Sequence, residues 1–135
     1  MLIKSNLSSI DNDLIRKACA QVVPWDSQDR IISLINDEIM HLWVDNVENT
    51  GVILMTTVVY DVITDTNSLL IYLLFSESNV SKDAWFESFD TLKQFAVEVK
   101  CRQIIFYTLN QSLAKIAIKV NGKACAFVYV PVGDK

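Results

Sequence analysis

Apolar positions along the chain change their period repeatedly, and each change marks an element. After a short apolar opening, "LIKSN", which reads as a first strand, Leu14, Ile15, Ala18, Cys19 and Val22 recur at helical spacing. Asp11 or Asp13 is placed to cap that helix and Pro24 to stop it. Ser27 then opens a second helix carrying Ile31, Ile32, Leu34 and Ile35. From Met40 the pattern turns to strands: "IMHLWVDN" and "TGVILMTTVVYDVIT" are rich in β-branched and aromatic residues, with the turn "VENTG" between them. A second turn at "DTN" leads into "SLLIYLLF", apolar on both faces and therefore expected as a central strand. Three consecutive strands joined by short turns pair antiparallel.

Helical spacing returns with Trp85, Phe89, Leu92, Ala96 and Val99, which step by four, three, four and three. Ser81 is a good N-cap for this helix, and Asp83 and Glu87 stand in its early turns, where the helix dipole favours them. "QIIFYTL" reads as a strand, and Asn110 caps a fourth helix with Leu113, Ile116, Ala117 and Val120 inward. Asn121–Gly122 supplies a left-handed exit. "ACAFVYVPV" is the last strand, with Pro131 marking a sheet edge or the strand's finish. The resulting order is βααβββαβαβ. It predicts an α/β (α+β) domain spanning 1–135, with a mixed, mainly antiparallel central sheet and helices on both faces.

Composition narrows the function classes. With 51% hydrophobic and 21% charged residues the chain is an ordinary globular sequence, with no disordered tail. A net charge of −4 and scattered lysines and arginines argue against nucleic acid as a partner, since binders of nucleic acid show a basic stripe. The N-terminus lacks the charged-then-apolar plan of a signal peptide, and the apolar run Leu69–Phe75 is far short of the roughly 20 residues a spanning helix needs. The expectation is a cytoplasmic chain without a membrane partner. Cys19, Cys101 and Cys125 are far apart in apolar surroundings and read as buried thiols. No Cys/His spacing predicts a metal site, and His41, the single histidine, has no Ser or Cys partner at a recognisable spacing; it reads as a packed or surface residue.

The stretch "SESNVSKDAWFESFD" carries the candidate binding chemistry. It joins an apolar strand to the start of a long helix, where main-chain N–H groups and the dipole favour an anion. It contains no glycine, Asp83 adds negative charge, and Lys82 alone has the helpful sign.

This order of elements resembles the GCN5-related N-acetyltransferase (GNAT) fold over nearly the whole chain. One local segment adds to it. Asn110, the helix "QSLAKIAIKV" and Gly122 followed by "KACAF" are similar to the Asn–helix–Gly segment that follows the family's fifth strand. The resemblance implies that "SKDAWF", from Ser81 to Phe86, stands where the family holds the CoA pyrophosphate, usually with [Gln/Arg]-x-x-Gly-x-[Gly/Ala]. Ser81, Lys82, Asp83 and Ala84, with Asn110, are then the candidate cofactor-binding residues. The departures from the glycine pattern point away from tight binding. The family's tyrosine acid of the fourth helix is replaced by Ala117 or Ile118. Catalytic candidates reduce to Glu77 as a base, with Glu48 and Asp61 more remote, and Tyr107 as a substitute acid. In the family a splay between the fourth and fifth strands admits pantetheine; here Phe75, Tyr107 or Trp85 is available to fill it.

The expectation drawn from these losses is a degenerate, non-catalytic GNAT-like binding or structural module. It needs no cofactor and works through a protein partner or self-association, for example along the C-terminal strand. In size and loss of motif it resembles GNAT-like accessory and virion proteins of tailed phages, which would place it in a host cytoplasm or a virion. The alternative is an acyl-CoA-dependent N-acyltransferase with an atypical phosphate loop. It would use acetyl-CoA or CoA, with main-chain donors of the fourth strand polarising the thioester.

Overall fold

The computed structural model describes residues 2–6, 12–22, 28–45, 52–76, 80–107, 111–123 and 130–133. Within them the order is β1 (Leu2–Ser5), α1 (Asn12–Val22), α2 (Gln28–Asn36), β2 (Met40–Asp45), β3 (Ile53–Asp61), β4 (Thr66–Phe75), α3 (Lys82–Glu98), β5 (Cys101–Phe106) and α4 (Gln111–Lys119). This matches the expected order through the fourth helix. Most of the expected last strand lies outside the described residues, and Val130–Gly133 are not in a strand. The expected caps Asp11, Ser27 and Asn110 also lie outside them.

The strands form one sheet in the order β1-β2-β3-β4-β5. The first four pair antiparallel and β5 joins β4 in parallel, so the sheet is mixed and mainly antiparallel. A parallel neighbour requires a crossover, and α3 supplies it.

Two apolar clusters lie on opposite faces of the sheet. On one face, Ile15, Ala18 and Cys19 of α1 and Ile31 and Ile35 of α2 pack on Met40, Leu42, Ile53, Met55, Leu73 and Phe75. On the other, Phe89, Leu92 and Ala96 of α3 and Leu113 and Ile116 of α4 pack on Leu2, Trp43, Leu54, Leu69 and Ile71. Helices therefore cover both faces, as the alternation of β2 and β3 requires.

The α3/α4 face also holds buried polar groups. Thr56 is fully buried, and its hydroxyl oxygen accepts from the Trp43 indole N–H at 2.9 Å and lies 3.1 Å from His41 Nδ1. The Phe95 ring of α3 meets His41 and Trp43 edge-on, at 4.8 and 5.0 Å, and Lys4 sits over its face. On the opposite face, buried Ser68 on β4 accepts from Gln103 Nε2 of β5 at 3.1 Å, across a paired position.

The exit of α4 is the expected left-handed one at Asn121–Gly122. Asn121 takes the left-handed conformation, at φ 70°. Its N–H donates to the Ile118 carbonyl, and the Gly122 N–H donates to the Ala117 carbonyl at 2.9 Å. Glycine is needed next because a Cβ there would stand 2.7 Å from that carbonyl oxygen.

Candidate active site

The site is built by two events on β4. At Tyr72 the strand carries one residue more than β3: Ile71 pairs with Thr56 and Leu73 with Met55, leaving Tyr72 without a partner position. Such a bulge bends a strand and shifts its alternation by one residue. Leu69 and Ile71 accordingly belong to the cluster under α3 and α4, whereas Leu73 and Phe75, at the same parity, belong to the cluster under α1 and α2.

The second event is the departure of β5. Its parallel ladder with β4 runs from Asn67–Cys101 to Ile71–Phe106 and ends there, while β4 continues against β3 to Phe75. The bulge and the end of the ladder coincide, and the two strands form a fork whose vertex is the Ile71–Phe106 pair. Beyond it, the β4 backbone from Tyr72 to Phe75 presents to the fork the edge that β5 has left. On the α3 side of the vertex the ring of Phe106 lies 5.8 Å from that of Phe89, and Trp85 and Phe86 pack half-buried beside them.

The chain leaves β4 at the open end of the fork and enters α3 after six intervening residues. Ser81 is the N-cap, as expected from sequence: its extended backbone precedes the helix, and its hydroxyl accepts from the Ala84 N–H at 3.2 Å. Lys82 and Asp83 follow in the first turn and are exposed. Two of the cofactor candidates thus serve the helix cap, and Lys82 and Asp83 offer opposite charges to whatever approaches the N-terminus. Asn110 lies outside the described residues.

Among the catalytic candidates, Glu77 and Glu48 fall outside the described residues. Tyr107 is the first residue past the last pair of β5 and is exposed. Asp61 is excluded from the fork by its position at the far end of the β3–β4 hairpin, roughly 20 Å along β4 from the bulge. There it accepts from the Ile63 and Thr64 N–H groups and shapes the turn. Phe75 does not fill the splay; it is buried in the cluster under α1 and α2. Sequence reasoning missed the bulge at Tyr72. It lies in an apolar run with no visible alternation, so nothing in the run marks where the parity changes.

The remaining reactive groups are structural. Burial lowers the pKa of His41, an effect to which Lys4 adds, while the backbone of Thr56 and the charge of Glu38 act the other way. Cys19 is buried and Cys101 half-buried, and burial raises the pKa of both thiols. Cys125 lies outside the described residues. No three His, Cys, Asp or Glu side chains converge on a metal-sized space among the described residues. No helix among them is long and apolar enough to cross a membrane.

No family model and no curated protein matches the sequence. Solved structures do. A probable acetyltransferase superposes with a TM-score of 0.75 at 10% identity, covering 100% of this chain and 99% of that one. The aminoglycoside N-acetyltransferase AAC(6')-Iy in complex with CoA gives 0.71 at 10% identity, over 100% of both chains. A predicted acetyltransferase from Clostridium acetobutylicum with acetyl-CoA gives 0.69 at 12% identity, over 98% of this chain and 95% of that one. These likenesses overturn the expectation of a non-catalytic binding or structural module, because the neighbours are acetyltransferases and two of them hold CoA or acetyl-CoA. They lend no support to a phage association. At such identity they show that this chain has the GNAT fold.

Proposed function

We propose that the protein is an acyl-CoA-dependent N-acyltransferase, transferring an acyl group from a thioester to an amine within a ternary complex. The observation that carries this reading is the fork: a β4 bulge at Tyr72 coincident with the departure of β5 after Ile71–Phe106. Beyond the vertex no described strand pairs with the edge of β4 that β5 has left, and its main-chain groups stand in a fixed frame. An N–H group there can hydrogen-bond the thioester carbonyl and stabilise the oxyanion that forms as the amine attacks. The open end of the fork leads to the N-terminus of α3, where the N–H groups of the first turn and the ammonium of Lys82 suit a diphosphate. Ser81 and Ala84 act there indirectly, by fixing the cap. Holding the amine and the thioester in one frame supplies much of the rate in such a transfer, so the absence of a tyrosine from the fourth helix does not remove the activity.

The chain's residues fit CoA in polarity at the fork and in sign at Lys82, and oppose it in sign at Asp83. The test is calorimetric titration of the purified protein with acetyl-CoA and with CoA, followed by thiol release from acetyl-CoA with a panel of amines. The panel holds an aminoglycoside, after the acceptor named for one structural neighbour, with an alanine-terminated peptide and a polyamine as generic amines. Binding at roughly micromolar strength is expected. No heat and no thermal stabilisation at about millimolar ligand would remove the reading.

A further inference from the structure

We propose that the hairpin end of the sheet, from Val58 and Tyr60 to Val62 and Ile63, is a docking surface for a polypeptide segment whose apolar residues are flanked by lysine or arginine. It lies at the end of β4 opposite the fork and does not depend on the acyltransferase reading.

The register places the surface. Thr56 and Leu69 are buried on the face that α3 and α4 cover, and Val58 is paired with Leu69. Strand alternation then puts Val58 and Tyr60 on that same face, where the cover ends: Val58 is exposed and Tyr60 is 56% exposed. Ile39, just before β2, lies beside them. Its carbonyl accepts from the hydroxyl of Thr57, the residue paired with Met40, and its side chain is exposed. The turn beyond Tyr60 adds Val62 and Ile63, at 77% and 89% exposed. Single exposed apolar residues are ordinary, but five gathered at one end of a sheet mark a place where something binds.

The ring of Tyr60 is also held in place. Its hydroxyl donates to the Asp65 carboxylate across the turn, and that turn is itself tied by Asp61, which accepts from the Ile63 and Thr64 N–H groups. An aromatic ring fixed in this way offers contact area at little cost in ordering, the property that makes tyrosine common at interface centres.

Charge selects the occupant. The segments that build the surface, 37–41 and 57–67, carry four acidic side chains, Asp37, Glu38, Asp61 and Asp65, and no lysine or arginine. All four are exposed. A second copy docking by the same face would set these carboxylates against their own counterparts. An anionic lipid surface is repelled for the same reason. A segment bearing lysine or arginine beside its apolar residues meets both features at once, and an arginine can also lie over the Tyr60 ring.

The probe is a synthetic peptide of alternating leucine and lysine, with a leucine–glutamate peptide as control, titrated into 15N-labelled protein. Amide shifts are expected within 37–41 and 57–67, with Lys82 and Phe106 near the fork unmoved. A surface this small suits a dissociation constant of about 10–100 µM at low salt, weakening as salt is added. The double variant Val62→Ser/Ile63→Ser changes only exposed turn residues. It is expected to melt as wild type does and to bind the lysine peptide about 10-fold more weakly. Shifts centred elsewhere, equal binding of the glutamate peptide, or undiminished binding by the double variant would overturn the proposal. So would a dimer in sedimentation of the free protein that the double variant dissolves, since the occupant would then be a second copy.

Discussion

Trp43 donates its indole N–H to the hydroxyl of Thr56 at 2.9 Å, from β2 to β3, with both residues buried against α3. An indole N–H can only donate, so the Thr56 oxygen accepts and its own proton is available to His41 Nδ1, 3.1 Å away. One threonine thereby satisfies two aromatic partners on a face that is otherwise apolar. Thr56→Val keeps the shape and removes the hydroxyl, leaving the Trp43 donor buried without its partner. The expected loss is about 1–3 kcal/mol in urea unfolding, whereas Thr56→Ser retains most of the stability. Equal stability of the two variants would mean the hydroxyl contributes nothing.

The same chain of donors makes stability depend on pH in a definite direction. The folded protein holds the His41 pKa below its ordinary value of 6.5, first through burial and then through Lys4, against the opposing effects of the Thr56 backbone and Glu38. The neutral ring is therefore the form that folding favours. Its contribution is fully present above pH 6.5 and is lost as the pH falls through the window below 6.5 towards the lowered folded value. Protonation also makes Nδ1 a donor, so the Thr56 oxygen must accept twice. In urea unfolding at a series of pH values, wild type is expected to lose more stability between neutral and mildly acid pH than His41→Gln does. Parallel curves would show that His41 is not the group responsible.

Deletion of Tyr72 should leave the packing of β4 intact. Without the bulged residue, Ile71 and Leu73 become adjacent on a strand paired continuously with β3. Leu73 stays opposite Met55, Leu74 opposite Leu54 and Phe75 opposite Ile53, so each keeps the cluster into which it packs. Tyr72→Ala removes only a half-exposed ring and should stay within about 1 kcal/mol of wild type. The deletion variant is expected to melt close to Tyr72→Ala when both are followed by circular dichroism. A deletion variant far less stable than Tyr72→Ala would mean that the bend at the bulge, not the register with β3, holds Leu73 and Phe75 in place.

Much of the fold was legible because its signals are local and periodic. The helices announce themselves through positions such as Phe89, Leu92 and Ala96, the antiparallel strands through short turns, and the α3 cap through Ser81. The site was harder to read for the opposite reason. β4 is apolar at nearly every position, and a run with no alternation carries no parity, so neither the bulge nor Tyr72 stands out. Asp61 looked available as a base because a sequence shows a carboxylate but not the turn N–H groups it serves. Phe75 was expected to be available to fill the fork, and the bulge places it in the α1/α2 cluster instead. The missing glycines were read as lost function, yet the feature that makes the fork is a register shift, which requires no glycine.

If a diphosphate docks at the start of α3, Asp83 is the residue that weakens it. It stands exposed in the first turn, where its charge favours the helix dipole by about 0.3–1 kcal/mol but repels an anion at the same N–H groups. Across roughly 7 Å of water, a carboxylate opposes a doubly charged diphosphate by about 1 kcal/mol before screening. Asp83→Asn should therefore raise the affinity for CoA by about 2–5-fold at low ionic strength while lowering the melting temperature of the free protein slightly. Because the carboxylate is exposed, the gain should shrink as salt is added through 0.15 M, where the screening length is about 8 Å. Lys82→Gln should act in the opposite sense, weakening CoA with the same salt dependence. Titrations of both variants at two salt concentrations decide the matter: unchanged affinities would place the diphosphate elsewhere, and a gain that survives high salt would mean that shape, not charge, limits the site.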